Sequence, residues 1–162
     1  MNHIIPVWGN EHTKLKYERK PILPRLLEDW HMCGYTHENH SGILYDESNN
    51  KSMPDYINDL KKIFSFLKDP TFAFYKMEQM TIMPNHSDHY EGYCKYTGAD
   101  REKVVRVLVF LEDWKSGHYL EIDNKAYTNW KAGDWLQWSH EEHMAANIGT
   151  EPRYTLQITA HV

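Results

Sequence analysis

The period of the hydrophobic pattern changes near residue 70. Before that point the clearest repeat is YINDLKKIFSFL, in which Ile57, Leu60, Ile63, Phe64 and Leu67 fall on one stripe of a helix. Ser52 or Asp55 stands where an N-cap belongs, and Lys68-Asp69-Pro70 stands where such a helix must stop. PILPRLLEDW predicts a shorter helix from about Pro24 to Trp30, with proline in a first turn that does not need its N–H. Between the two, GYTHENHSGILYDESNN reads as a loop around a small apolar island, and residues 1–52 otherwise show no regular period.

After Pro70 the helical period gives way to short runs of aromatic and β-branched residues. TFAFYKMEQMTIMP predicts one or two strands, and KVVRVLVFL, apolar on both faces, predicts a central one. HYLEI, the region from Tyr127 to Trp130, DWLQW, HMAAN and RYTLQITAH supply the rest, punctuated by Gly98, Gly117, Gly133 and Gly149. No helix-length segment separates these strands, which argues against a parallel α/β fold. The pattern predicts a mainly β protein with flanking helices, its core a closed or double-sheet barrel or jelly-roll. The length of 162 residues fits one domain, with loops and supporting helices over 1–70 and the β core over 71–162.

Composition narrows the class further. Hydrophobic residues make up 41% and charged residues 25%, which is globular rather than disordered. A net charge of −5, with basic runs that are short and mixed with acids, argues against nucleic acid as a partner. The two cysteines, Cys33 and Cys94, form no metal-type or redox spacing, so reduced thiols in a cytoplasmic protein are expected. MNHIIPVWGNEH has no basic lead into an apolar stretch, and no apolar run has the length of a membrane span, so no secretion signal and no membrane association are expected.

The chemistry concentrates in HSDHY. His86 and Asp88 are two apart, so an extended backbone turns both side chains to one face, where they suit two ligands on one edge of a metal octahedron. Two imidazoles and a carboxylate are the facial set of non-haem Fe(II) enzymes, which leaves adjacent positions open. The third ligand has two candidates downstream of DWLQW, His140 and His143. With 11 histidines in the chain, a lone HxD is as well explained by a polar loop. In the last strand Arg153, Thr155, Gln157 and Thr159 share one face, while Tyr154, Leu156, Ile158 and Ala160 share the other. The apolar set can seal a core against the helices. The polar set then looks into a wet or ligand-filled space, and an arginine leading it needs an anion, unless it lies exposed at the strand start.

The ordered series HSD, then KAGDWLQW, then His143 and Arg153 ten residues later resembles the 2-oxoglutarate/Fe(II)-dependent dioxygenases, and its prolyl-hydroxylase-like members in particular. The likeness runs from about Phe74 to His161 and includes FYKMEQMTIMPNHSD and VVRVLVFLEDWKSGHYLEI. The resemblance implies a double-stranded β-helix core, Fe(II) held by His86, Asp88 and His143, and 2-oxoglutarate gripped through its far carboxylate by Arg153. Dioxygen and a small-molecule, amino-acid or peptidyl substrate, prolyl among them, complete the implied reaction. The ten-residue interval favours His143 over His140. The sequence departs from the prolyl-hydroxylase pattern at His118 and Tyr119, which points to a different substrate rim.

Three further residues are candidates for binding the co-substrate. Tyr75 lies on the strand leading to HxD, where a core role is the alternative. Arg106, in VVRVLVF, either faces the pocket or reaches a sheet edge, since an unpaired charge inside would be costly. Asn147 shares a face with His143, where turn capping is the alternative. One of Trp135 and Trp138 is expected to line the pocket, and His37 and His40 lie in a loop that either covers the entrance or is merely polar. Two other function classes fit parts of this pattern. A cupin-like metalloenzyme would use the fold and metal without 2-oxoglutarate and has no need of an inward Arg153. A non-enzymatic β-sandwich binding module would carry its histidines incidentally.

Overall fold

A computed structural model describes residues 1–19, 22–35 and 53–162, together with the backbone of the strand Gly42–Asp46. His37, His40 and Ser52 lie outside the described residues. Among the described residues ten strands form two antiparallel sheets. They are β1 (Asn2–His3), β2 (Gly42–Asp46), β3 (Lys68–Met77), β4 (Thr81–His86), β5 (Val104–Phe110), β6 (His118–Ile122), β7 (Lys125–Tyr127), β8 (Asp134–Trp138), β9 (His143–Asn147) and β10 (Arg153–His161). The larger sheet has the order β1-β8-β5-β10-β3-β2, the smaller β4-β9-β6-β7. From β3 onward the chain alternates between the sheets: β3, β5, β8 and β10 in the larger, β4, β6–β7 and β9 in the smaller. That alternation is the winding of a jelly-roll, one of the architectures the strand pattern predicts, and of the double-stranded β-helix that the resemblance implies.

Strand periodicity divides the interior into two layers. On the outer face of the larger sheet Val105, Val107, Val109, Leu156, Ile158 and Ala160 pack with Phe72 and Phe74 against α2 (Ile57–Ile63) and the chain around it, through Ile57, Leu60, Phe64 and Leu67. Between the sheets Leu108, Phe110, Leu136 and Trp138 meet Leu120, Ile122 and Ala145, with Trp130 stacked on Phe110 at 4.0 Å. The alternation in β10 therefore has its expected consequence. Its apolar face seals the helical layer and Arg153, Thr155 and Gln157 turn inward.

Several local expectations are corrected. The helix at 57 starts without a side-chain cap and ends at Ile63, which is exposed at 38% rather than on the buried stripe. Lys68-Asp69-Pro70 already belongs to β3, because pairing with β10 begins at Lys68. The island GILYD is a strand, β2, paired along β3. Asn2 and His3 add a two-residue strand to β8, and Glu91–Thr97 forms α3, where no periodic apolar stripe pointed to a helix. The helix at Pro24 forms as expected and continues to Met32 (α1).

Two glycines lock the loops at the end of the barrel that holds Arg153. Gly117 sits at φ +90°, and a Cβ there would drive into the backbone of Gly149, while one on Gly149 would meet the carbonyl of Ser116. The Ile148 N–H donates to the Gly117 carbonyl at 3.0 Å across the same junction. Gly117→Ala meets both an unfavourable φ and a backbone clash, so it is expected to cost more than about 3 kcal/mol in chemical denaturation. A change within about 0.5 kcal/mol of wild type would show that the loops separate freely.

Candidate metal and anion site

The register of β4 against β9 sets His86 directly opposite His143, with ring centroids 4.4 Å apart. A shift in pairing between Met83 and His86 bends β4 at Pro84-Asn85. Met83 and His86, three apart, therefore both line the same cavity, which strict alternation would forbid. Asp88 follows two residues after His86, so the same-face expectation for HxD places its carboxylate beside both rings. His86 Nε2 lies 3.9 Å from Asp88 Oδ1 and His143 Nε2 lies 3.7 Å from Oδ2. One donor atom from each of the three falls within 4.8 Å of the others. His140 is not in this group. Its ring meets Tyr90 edge-on at 5.5 Å, and its Nε2 is buried with no hydrogen-bond partner among the described residues.

The backbone orients both imidazoles. Nδ1 of His86 is 2.8 Å from the Pro84 carbonyl and Nδ1 of His143 is 3.0 Å from that of Glu141. A carbonyl accepts only, so each Nδ1 carries the proton and each Nε2 presents a lone pair towards Asp88. Trp30 of α1 abuts the His86 ring edge-on at 5.4 Å and donates its indole N–H to the Asn85 carbonyl. Trp138 flanks His143 at 5.1 Å, while Trp135 lies on the opposite face against Phe64. Burial, and then the neighbouring His143, hold the His86 pKa down at about 4, and burial likewise lowers that of His143. Burial works to raise the Asp88 pKa, but Arg106 first, then His143 and His86, outweigh it and keep the carboxyl below its usual range.

The lowered His86 pKa predicts a pH dependence for the metal-free protein. Above about pH 6.5 the imidazole is neutral in both folded and unfolded chains, and stability is at its full value. As pH falls from there towards about 4, only the unfolded imidazole takes up a proton, so stability is lost, by up to about 3 kcal/mol. Below that range both states are protonated and this loss levels off. Denaturation of the metal-free wild type and His86→Gln at a series of pH values reads the difference. Equal slopes for the two between pH 6.5 and 4 would contradict it.

A cavity of about 120 Å³ runs from this group along the inner face of the larger sheet. Tyr75, Arg106, Thr155, Gln157 and Arg153 supply its polar wall and Met77, Met83, Leu108, Leu120, Trp138 and Ala145 the apolar one. That volume holds several waters or one small organic acid. Gln157 Nε2 donates to the Tyr75 hydroxyl at 3.3 Å. Arg106 faces the cavity rather than a sheet edge, and its Nη2 donates to Asp88 Oδ2 at 3.0 Å, so its charge is already matched. Asn147 does not line the cavity. Its amide donates to the carbonyls of Met77 and Glu151 and its oxygen accepts from the Gly149 N–H, which ties the turn before β10 and leaves nothing for a ligand.

Arg153 differs from Arg106. It is buried, and its Nη1 donates to the Tyr119 carbonyl at 2.9 Å, but Nε has no partner and no carboxylate pairs with it among the described residues. Burial alone brings its pKa down to about 10, so the guanidinium remains charged at neutral pH. His118 and Tyr119 lie beside it. His118 is buried under Trp130 with Nε2 2.9 Å from the Glu151 carbonyl.

Sequence reasoning missed Trp30, Tyr90 and Asn85. Trp30 is 56 positions from His86, and no local pattern links a helix residue to a strand so far along the chain.

No family model and no curated protein sequence matches the chain. Solved structures similar to it include a cupin protein from Bacteroides fragilis, 15% identical over 60% of this chain and 70% of that one, TM-score 0.42. The plu4264 protein from Photorhabdus luminescens is 10% identical over 77% of this chain and 78% of that one, TM-score 0.47. A predicted oxalate decarboxylase from Thermotoga maritima is 16% identical over 63% of this chain and 74% of that one, TM-score 0.42. No described helix is long and apolar enough to cross a membrane.

Proposed function

We propose that the chain is an Fe(II)- and 2-oxoglutarate-dependent hydroxylase acting on a small-molecule, amino-acid or peptidyl substrate, prolyl residues included. The observation that carries this reading is Arg153, a buried guanidinium without a counter-ion among the described residues, in the same cavity as the facing His86, Asp88 and His143. An isolated buried charge is strongly unfavourable, and a bound carboxylate with two parallel hydrogen bonds relieves it. A cupin-like enzyme without a dicarboxylate co-substrate, or a binding module with incidental histidines, leaves that charge unexplained.

The donor set fits a divalent ion. Two neutral Nε2 lone pairs and one carboxylate converge, and both Nδ1 protons are held by carbonyls. The site charge also fits. Asp88 matches Arg106, so a divalent ion and Arg153 leave an excess of positive charge that a dianion largely removes. Iron bound there with 2-oxoglutarate supplies oxidative decarboxylation coupled to insertion of oxygen into a C–H bond. The chain's own part is placement. Arg153 anchors the far carboxylate, with the Tyr75 hydroxyl and Thr155 along its length, and Met83, Leu108, Leu120 and Trp138 exclude water.

Substrate class rests on charge. The chain is acidic, and a base-directed enzyme needs positive surface beside its pocket to capture a flipped base. With Fe(II), 2-oxoglutarate and dioxygen, a panel of amino acids and peptides is expected to yield succinate together with a product heavier by one oxygen atom. Demethylation of a methylated oligonucleotide, with no stimulation by any amino acid or peptide, would overturn the substrate class and leave the metal site standing.

A further inference from the structure

We infer that Arg106 is a positioning residue that competes with the metal for Asp88, holding one carboxylate oxygen so that only the other is offered as a ligand. This rests on the reading that His86, Asp88 and His143 take a divalent ion. Arg106 stands on β5, with β8 and β10 paired on either side, opposite Trp138 and Thr159. Its guanidinium lies over the Tyr90 ring at 5.3 Å, and Tyr90 is itself tied to the backbone by its hydroxyl, which donates to the Ser139 carbonyl. The arginine is thus held from the sheet and from the loop after HxD. Its Nη2 reaches Asp88 Oδ2 at 3.0 Å and no described acid other than Asp88 pairs with it.

The pairing makes the two oxygens of Asp88 unequal. Oδ2 accepts from Arg106, while the ion-pair contact to Oδ1 among the described residues is His86 Nε2, at 3.9 Å, a nitrogen that carries no proton, and Arg25 acts on the carboxylate as a further positive charge. A carboxylate free at both oxygens can chelate a divalent ion and take two positions. One held by a fixed guanidinium gives a single position and leaves more of the ion open to an oxo-acid and dioxygen. Arg106 also keeps Asp88 charged and aimed at the histidines before any ion arrives, which a neutral side chain cannot do. Its positive charge beside the ion opposes binding, so the arrangement exchanges some metal affinity for an open coordination sphere.

A purely structural role and this one differ in sign. Mn(II) serves as the probe, titrated by calorimetry into metal-free wild type, Arg106→Gln and Arg106→Lys. Arg106→Gln is expected to bind Mn(II) at least about tenfold more tightly than wild type, with a larger Mn(II)-induced rise in melting temperature. Arg106→Lys keeps the charge and is expected to stay within about threefold of wild type. If Arg106→Gln folds only when Mn(II) is present, the ion has replaced the arginine as partner of Asp88, which supports the inference. If it never folds, Arg106→Lys decides, and an affinity about tenfold or more below wild type overturns the inference. Equal or weaker Mn(II) binding by folded Arg106→Gln also overturns it, with the metal set intact. Wild type that takes up no Mn(II) removes the metal reading and this inference together.

Discussion

Replacing His86 with alanine is expected to abolish stoichiometric Fe(II) binding and to leave a folded domain. The imidazole contributes one of three donors, and the remaining two, Asp88 and His143, cannot define a face of an octahedron. Loss of outer-shell partners alone typically weakens metal binding about 10- to 100-fold, so loss of a direct ligand is expected to exceed about 100-fold. The fold is expected to survive because the two packed layers do not include His86. The core against α2 lies on the far side of the larger sheet, and the inter-sheet core is built on Phe110, Trp130, Leu120 and Leu136. Circular dichroism and iron quantification after anaerobic loading read the two halves of the expectation. Full iron affinity in His86→Ala would remove the site. Iron kept by His143→Ala and lost by His140→Ala would reassign the third ligand alone.

Substitution of Arg153 is expected to separate co-substrate binding from metal binding. Arg153→Met is expected to weaken 2-oxoglutarate binding by about 2–5 kcal/mol, roughly 30-fold to several thousand-fold, with iron affinity little changed. The same change is expected to stabilise the ligand-free fold by about 1 kcal/mol or more, since it replaces a desolvated cation that has no carboxylate partner among the described residues by an apolar side chain of similar length. Opposite signs for stability and binding mark a residue retained for a ligand. In the iron-loaded protein 2-oxoglutarate should therefore raise the melting temperature of wild type and not of the variant. Unaltered 2-oxoglutarate affinity by calorimetry would exclude Arg153.

The longer strands of the barrel were legible because they alternate or are continuously apolar, as RYTLQITAH and VVRVLVF are, whereas β7 spans only Lys125–Tyr127 and was expected over Tyr127 to Trp130. β1 and β2 were not, because two residues at the N-terminus and GILYD become strands only through pairing with β8 and β3. Alternation identified the inward face of β10 but not the partners along it. That Arg153 has no carboxylate among the described residues while Arg106 has Asp88 depends on how β5, β10 and the loop after β4 meet, and no spacing encodes it. Asn147 shows the same limit. Its face was read from β9, but its amide is consumed by Met77, Gly149 and Glu151, two of which belong to the turn that follows.

The central claim, a metal and a dicarboxylate held in one cavity, is tested most directly by anaerobic Fe(II) titration with and without 2-oxoglutarate. A visible metal-to-ligand charge-transfer band is predicted only when both are present, saturating at one iron per chain and absent in His86→Ala. Iron bound with no such band at saturating 2-oxoglutarate, or no iron bound at all, would contradict the account.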